Sequence, residues 1–301
     1  MIEKSLLISE VFFPLGQEEN LWLEAAQKVL EIGYYQRLEV AAVKEAANRR
    51  LLRRMTRDAG VALTYWTIPT MTQEGLGLSS PDKALRLRTL QRLRQLLEEG
   101  AECGAALIGI PSGPDSGPGH REESTRWLTE SILTLKPSLD ALPGIALLME
   151  PLDREVHKKQ LIGPIEEAAA LAASLRKEGV PFYLCWDSAH EALGGADLLQ
   201  SYALAAPYLG QFHLCNAVTV PGQPLYGDFH LPPGPPPDFS SSGYLTLPLA
   251  TALLKQAKAL AGQTDRPLSV TLEARTQPGQ NVWQTEGLVR AFLTRCFEEA
   301  E

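Results

Sequence analysis

The sequence lacks the features that mark several large classes of protein. It contains no run of about 18 apolar residues that could span a membrane, and its first residues lack a plausible signal-peptide core. Only four of its 301 residues are cysteines, and none of them form a CxxC pair. A disulfide framework is therefore not expected. These absences predict a soluble cytoplasmic protein without a membrane partner.

An excess of positive charge is also missing. The formal net charge is −8, which is opposite in sign to the broad basic surface of most nucleic-acid-binding domains. Hydrophobic residues make up 45% of the chain and charged residues 21%, as in globular proteins with a sizeable core. We therefore expect a small-molecule partner and no nucleic acid.

A glycine-rich GxGxxG turn is absent as well, which disfavours the dinucleotide-binding type of open sheet. Instead, eight apolar segments alternate with eight segments of helical periodicity. This rhythm predicts an α/β fold, a (β/α)8 TIM barrel that forms a single domain over residues 1–301. The predicted strands are 6–13, 36–41, 62–68, 105–110, 146–150, 182–187, 210–214 and 268–273. The predicted helices are 18–32, 44–58, one that starts at Ser80-Pro81-Asp82, 121–136, one opened by Pro164, 196–206, 245–261 and 284–299.

Four side chains able to bind a cation stand at the ends of four successive predicted strands. They are Glu150, Asp187, His213 and Glu273. Neighbouring strands lie roughly 4.8 Å apart, and the carboxyl ends of barrel strands form the active-site face. The four groups can therefore meet at one divalent metal ion. Three carboxylates and one imidazole favour Mn²⁺, with Mg²⁺, Co²⁺ or Zn²⁺ as alternatives.

Further polar residues are candidates for substrate binding. His190 follows Asp187 by three residues and can reach over the barrel mouth. A long irregular loop at about 217–243 carries Asp228 and His230, and loops of this length in compact domains are usually functional or disordered. The pair could cover the pocket, bind substrate or hold a second ion.

Four further residues on or close to the predicted strands have open roles. Arg154 and Glu155 follow Glu150 closely and could contact substrate hydroxyls or a phosphate, or form a structural salt bridge. Arg275, two residues after Glu273, could bind an anion. An inward-facing Glu39 on the second strand could orient other groups.

The segments LLMEP, WDSAH, FHLCN and SVTLEA resemble the strand-end motifs of the xylose isomerase-like TIM barrels, the group of sugar phosphate isomerases and epimerases. The resemblance covers roughly residues 146–275, and the first half of the chain agrees only in its alternation of strands and helices. It implies that Glu150, Asp187, His213 and Glu273 are metal ligands and that His190 contacts the substrate. The ketose 3-epimerase branch is most similar in spacing. That branch usually has a glutamate and an arginine where this chain has Val156 and Thr219.

The resemblance implies a metal-dependent isomerase or epimerase of a sugar or sugar phosphate, with Glu150 and Glu273 as the acid–base pair. The reaction would remove a proton next to a carbonyl and pass through an enediolate. Return of the proton to the same carbon gives epimerisation and return to the adjacent carbon gives isomerisation, whereas loss of a β-hydroxyl gives dehydration. A non-catalytic sugar-binding barrel is a further alternative, and a homodimer is compatible with such a barrel.

The pair Asp228 and His230 also resembles the additional-ion residues of the related endonuclease IV group. That group needs further histidines at the ends of the third and fourth strands, where this chain has TIPT and GIPSG. A repair nuclease with three metal ions is therefore the least favoured alternative.

Overall fold

The computed structural model describes residues 2–16 and 18–301. Its strands are all parallel, and β1 pairs with both β2 and β8, so the sheet closes into a barrel. This confirms the predicted (β/α)8 fold. The strands are β1 (Ile2–Leu7), β2 (Arg37–Ala41), β3 (Ala62–Trp66), β4 (Leu107–Ile110), β5 (Ala146–Met149), β6 (Phe182–Asp187), β7 (Leu209–Cys215) and β8 (Leu268–Glu273).

Helices connect consecutive strands and cover the outside of the barrel. They are α1 (Ile8–Val11), α2 (Glu19–Ile32), α3 (Ala46–Ala59), α4 (Ile68–Gln73), α5 (Lys83–Cys103), α6 (Arg121–Asp140), α7 (Ile165–Lys177), α8 (Ser188–Leu193), α9 (Leu198–Ala205), α10 (Leu247–Leu260) and α11 (Val282–Glu299). Three short 3₁₀ turns complete the described elements: Phe13–Leu15, Ala206–Tyr208 and Ala261–Gln263.

The first strand differs from its prediction. The predicted strand 6–13 is wrong over residues 8–13, because α1 begins at Ile8 and buries Ile8 and Val11. The strand itself starts at Ile2, where it pairs with Leu268 of β8. A short continuous apolar run does not distinguish a buried strand from a buried helical turn. The helical turn brings Glu10 to the barrel mouth.

The two predicted helix starts are close to the observed ones. α5 is capped by Asp82 and not by Ser80, since the Asp82 carboxylate accepts a hydrogen bond from the Ala84 amide at 2.8 Å. Pro164 is the residue before the first turn of α7. Proline suits this end of a helix because the first amides have no intrahelical acceptor.

The core has two main parts. The larger lies between the strands and the surrounding helices, and the smaller fills the barrel interior with Leu7, Trp66, Leu107, Leu148 and two smaller neighbours, Ala146 and Cys185. Gly109 makes room for the Trp66 ring, because a Cβ at that position would lie 2.0 Å from Trp66 Cε3. The packed interior supports a single polar site at the carboxyl ends of the strands.

The long loop 217–243 lies over this end of the barrel. Every residue of the loop is described, and it contains no helix or strand, only isolated bridges from Val218 to Tyr226 and Gly227. The His230 carbonyl accepts a hydrogen bond from the Arg275 amide at 2.7 Å, which fixes the loop next to the end of β8. Within the described part of the chain, no helix has the length and apolar character needed to cross a bilayer.

Candidate metal centre and active site

The structure brings the four predicted metal ligands together. One ligand atom from each of Glu150, Asp187, His213 and Glu273 lies within 4.8 Å of the other three. His213 Nδ1 is 2.9 Å from Glu273 Oε2, 3.4 Å from Glu150 Oε1 and 3.9 Å from Asp187 Oδ2. All four side chains are buried. The convergence of strands β5 to β8 therefore produces the expected constellation.

Two carboxylate oxygens at the centre of this cluster have no hydrogen-bond partner. They are Glu150 Oε1 and Asp187 Oδ2. The other Asp187 oxygen accepts hydrogen bonds from the Ala189 and His190 amides at the start of α8, at 2.7 and 3.1 Å. Buried carboxylate oxygens are rarely left unsatisfied. Their convergence on an imidazole nitrogen fits a divalent cation with mainly oxygen ligands.

The His213 ring is fixed by Glu39 on β2. His213 Nε2 donates to Glu39 Oε2 at 3.0 Å, which directs Nδ1 at the other three candidate ligands. Glu39 also accepts from Trp66 Nε1 at 2.8 Å and from Ser5 Oγ at 2.9 Å. Burial raises the pKa of the Glu39 carboxyl. The facing imidazole of His213 outweighs this effect and lowers the pKa to about 2. Glu39 thus orients a candidate ligand, the role that its inward position predicts.

The substitution Glu39→Gln should weaken Mn²⁺ binding by about 10- to 100-fold. Carboxylates that accept from a metal-binding histidine fix its tautomer and raise its basicity, and their loss typically has an effect of this size. Titration calorimetry with Mn²⁺ on the metal-free protein measures it.

Glu99→Gln is the matched control, because the Glu99 carboxylate accepts from the Tyr65 hydroxyl outside the barrel interior. That variant should bind Mn²⁺ like the wild type. Equal affinity in Glu39→Gln would show that Glu39 does not support a metal-bound His213.

A cavity of about 440 Å³ opens beside the cluster. Glu150 and Glu273 each expose 9% of their side chain, whereas Asp187 exposes none and His213 exposes 1%. Burial and the nearby Glu273 and Glu150 carboxylates raise the pKa of Asp187 to about 7, against the opposing effect of His190. Among the four, the two glutamates are therefore the carboxylates placed to contact a molecule in the cavity.

His190 also lines this cavity, as the sequence predicts. Its Nδ1 is 3.1 Å from Asp153 Oδ2. Burial lowers the pKa of His190, but the hydrogen bond to Asp153 and the charges of Asp187, Asp228 and Glu150 together outweigh this effect and raise the pKa to about 9. The Asp153 carboxylate also accepts from the Val156 and Lys158 amides. Asp153 therefore fixes both the histidine and the loop that follows β5.

The loop residues Asp228 and His230 extend the cluster. His230 Nε2 lies 2.9 Å from Asp228 Oδ2 and 3.4 Å from Glu273 Oε1. The Lys158 ammonium is 2.9 Å from the same Asp228 oxygen. Cys215 donates to the other Asp228 oxygen at 3.4 Å. Asp228 is thus surrounded by donors from three separate segments.

Arg275 lies at the rim of the cavity and is already paired. Its Nη2 donates to Glu10 Oε1 at 3.0 Å, and Glu10 Oε2 is 2.9 Å from His230 Nδ1. Burial raises the pKa of Glu10, but His230 and Arg275 outweigh this effect and bring it to about 2. An anion would have to compete with this carboxylate for Arg275.

Arg154 and Glu155 do not reach the cavity beside the cluster. Arg154 pairs with Glu167 on α7 and donates to the Leu161 carbonyl. Glu155 exposes 75% of its side chain and pairs with Arg121. Of the two roles that the sequence left open for these residues, the structure shows the salt bridges, and their contact with a substrate stays a prediction. The loop folds around Asp153 and turns both side chains outward.

The sequence reasoning missed Asp153 and Lys158, although both lie in the same loop. Asp153 stands three residues after Glu150, but its spacing does not reveal the long-range contact with His190. Lys158 stands in a run of basic residues that resembles an exposed surface segment. In the site as the structure shows it, carboxylate side chains outnumber lysine and arginine side chains. The carboxylates are Glu10, Glu39, Glu150, Asp153, Asp187, Asp228 and Glu273, and the permanent cations are Lys158 and Arg275.

A family model and several solved structures are similar to this chain. The family model of the xylose isomerase-like TIM barrel matches residues 26–258. No curated protein sequence is significantly similar to the chain.

Several solved structures share the fold over nearly the whole chain. D-psicose 3-epimerase from Clostridium cellulolyticum H10 is 16% identical with a TM-score of 0.70, and all of both chains is covered. An L-ribulose 3-epimerase is 16% identical with a TM-score of 0.69, covering 100% of this chain and 96% of the other. An AP endonuclease of family 2 from Brucella melitensis is 15% identical with a TM-score of 0.66, covering 97% and 99%. At these identities the likeness shows the fold, and the chemistry has to come from the site.

Proposed function

The chain belongs to the xylose isomerase-like TIM barrel family, and we propose that it is a divalent-metal-dependent epimerase or isomerase of an unphosphorylated ketose or keto-sugar. The observation that carries the proposal is the cluster of Glu150, Asp187, His213 and Glu273 with its two unpartnered carboxylate oxygens. Mn²⁺ is the ion that we favour for three oxygen ligands and one nitrogen.

Glu150 and Glu273 are the proposed acid–base pair. They stand at the ends of β5 and β8, and their carboxylate oxygens lie 3.4 and 2.9 Å from His213 Nδ1. Both have side-chain surface in the cavity. A bound divalent ion would supply Lewis-acid stabilisation of the negative charge that develops on the substrate oxygens. One glutamate removes the proton next to the carbonyl and the other returns one from the opposite side, which yields the epimer.

His190, Lys158 and His230 are the proposed contacts to substrate hydroxyls. All three line the cavity. Asp153 holds His190, and Asp228 lies within 2.9 Å of both Lys158 and His230. Side chains fixed in this way keep substrate and acid–base pair in one geometry, which lowers the entropic part of the barrier.

The charge of the site favours a neutral sugar over a sugar phosphate. Lys158 and Arg275 are the permanent cations that line the cavity, and both are paired, with Asp228 and Glu10 respectively. Placing like charges next to each other costs several kcal/mol. A phosphate would approach the carboxylates of the site and find both permanent cations already engaged with carboxylate partners.

The same pairing disfavours a second ion and the nuclease alternative. Asp228 and His230 are the residues predicted for such an ion, and the Lys158 ammonium lies 2.9 Å from the Asp228 oxygen that contacts His230. We propose one divalent ion for each chain. Cleavage of abasic DNA, or two bound ions, would favour the nuclease instead.

Metal-free protein reloaded with Mn²⁺ should exchange solvent deuterium into the carbon next to the carbonyl of ketoses. NMR in D₂O with a panel of ketopentoses and ketohexoses measures both the exchange and the product. The kcat/KM for D-fructose should exceed that for D-fructose 6-phosphate by about tenfold or more, because the site is acidic.

Three outcomes would contradict this proposal. Sugar binding without exchange would favour the non-catalytic barrel. Loss of water from the sugar would favour the dehydratase. A preference for the phosphorylated sugar would show that Lys158 or Arg275 leaves its carboxylate partner to bind the phosphate.

A further inference from the structure

A second, larger cavity adjoins the one beside the metal cluster. We call it the distal cavity; its volume is about 1010 Å³, against about 440 Å³ for its neighbour. Helix α4, the start of α5, the loop after β4 and the first turns of α6 enclose it. The two cavities share the wall residues Ile68, Thr72, Leu152 and Lys158. A molecule bound at the cluster therefore has room to extend beyond the reacting sugar.

The walls of the distal cavity are mainly apolar, with an aromatic ring among them. Met71, Leu76, Leu85 and Trp127 contribute to this surface. Arg86 lies 5.0 Å from the centre of the Trp127 ring and fixes it from one side. Aromatic rings in ligand pockets provide large rigid contact areas. This lining suits the C–H surface of a second ring.

Two serines in the lining of the same cavity carry buried hydroxyl groups without a partner. Ser124 is 1% exposed, and its Oγ forms no hydrogen bond. Ser116 Oγ is likewise buried and unpartnered. A buried hydroxyl without a partner is costly, so such groups in a cavity indicate a ligand with hydrogen-bonding atoms.

The charged side chains of Asp115, Glu123 and Lys158 in the lining of the distal cavity are paired. Asp115 accepts two hydrogen bonds from Arg121, at 2.9 and 2.8 Å, and Glu123 pairs with Arg126. Lys158 on the shared wall is paired with Asp228. The lysine is therefore not free to bind a phosphate, which points to a neutral ligand.

We propose that the distal cavity binds a second, neutral, hydroxylated ring, so that the substrate is a ketose unit linked to another sugar. This inference rests on the proposed function, with the ketose unit at Glu150 and Glu273. Trp127 would pack against the second ring, and the Ser124 and Ser116 hydroxyls would exchange hydrogen bonds with its hydroxyl groups.

The first test compares D-fructose with isomaltulose, a fructose unit that carries a glucose ring. Wild-type protein loaded with Mn²⁺ should show a kcat/KM for deuterium exchange at least about tenfold higher with isomaltulose. Trp127→Ala should abolish that preference, and Ser124→Ala should reduce it about two- to tenfold, as for one lost hydrogen bond. Trp283→Phe is the control, because Trp283 packs on Phe12 away from the cavity. Equal kcat/KM for both sugars in the wild type would overturn the inference.

The second test measures binding without catalysis. Isomaltulose binding to metal-free protein is followed by calorimetry in the wild type and in Trp127→Ala. If Trp127→Ala weakens isomaltulose binding about tenfold, the distal-cavity inference is supported. If no sugar undergoes exchange in that case, only the proposed function fails. If free fructose undergoes exchange but Trp127→Ala leaves isomaltulose binding unchanged, only the distal-cavity inference is overturned.

Discussion

Glu273→Gln is expected to lower the rate of deuterium exchange into a ketose by about 100-fold or more at saturating Mn²⁺. The amide keeps the size of the carboxylate and an oxygen that can face the cluster, but it cannot accept a proton at neutral pH. Positioned acid–base groups contribute about 10²- to 10⁴-fold to such reactions. NMR in D₂O gives the rate, and metal analysis of the same sample separates loss of the base from loss of the ion.

The matched control for this substitution is Glu286→Gln. Glu286 is also a buried carboxylate, but it lies on α11 and pairs with Arg290 and Tyr35. Its amide variant should lose some stability and keep the exchange rate. Wild-type exchange in a metal-loaded Glu273→Gln protein would remove Glu273 from proton transfer and leave Glu150 as the candidate base.

The barrel and the convergence of the four candidate ligands could be predicted because both depend on short-range patterns. Buried parallel strands are apolar on both faces, so a charged residue at the end of such a strand is conspicuous. In a closed barrel the carboxyl ends of all strands meet on one face. Asp187, His213 and Glu273 therefore had to come close once the strands were placed correctly. The register of β6 and β7, which pairs Asp187 with His213, confirms that step.

The residues in the loops could not be placed in the same way. Nothing local in the segment after β5 indicates that Asp153 turns inward and that Arg154 and Glu155 turn outward. That choice depends on His190, which lies on α8 after the next strand and pairs with Asp153. Lys158 likewise reaches the site only because Asp228 arrives from a loop 70 residues away. Contacts between distant segments decide how such side chains are oriented. The spacing of residues along the chain does not reveal these contacts.

The error in the first strand has a related cause. The apolar run 6–13 fits a strand and a buried helical turn equally well. The position of β1 is set by the pairing of Ile2 with β8. That pairing joins the first and last strands, which are far apart in the sequence. As a consequence Glu10 reaches Arg275 and His230, a contact that the strand assignment did not anticipate.

Asp187→Asn should remove the stabilisation that the wild-type protein gains from Mn²⁺. An ion at about 100 times its dissociation constant stabilises a protein by about 2.7 kcal/mol, which corresponds to an increase in Tm of roughly 5 °C or more for a domain of this size. The asparagine retains the oxygen that accepts from the Ala189 and His190 amides, so the start of α8 should persist. It replaces the unpartnered Oδ2 with a group that cannot bind a cation. Thermal melts with and without Mn²⁺ measure the difference.

Asp197→Asn separates the loss of a ligand from the loss of a helix cap. Asp197 caps α9 by accepting from the Gln200 amide at 3.0 Å, as Asp187 caps α8, but it is not part of the metal cluster. The Asp197→Asn variant should keep the full Mn²⁺-dependent increase in Tm and one ion for each chain. If Asp187→Asn also kept both, the ion would have to be held without β6. The proposal that Glu150, Asp187, His213 and Glu273 would together hold one cation would then be wrong.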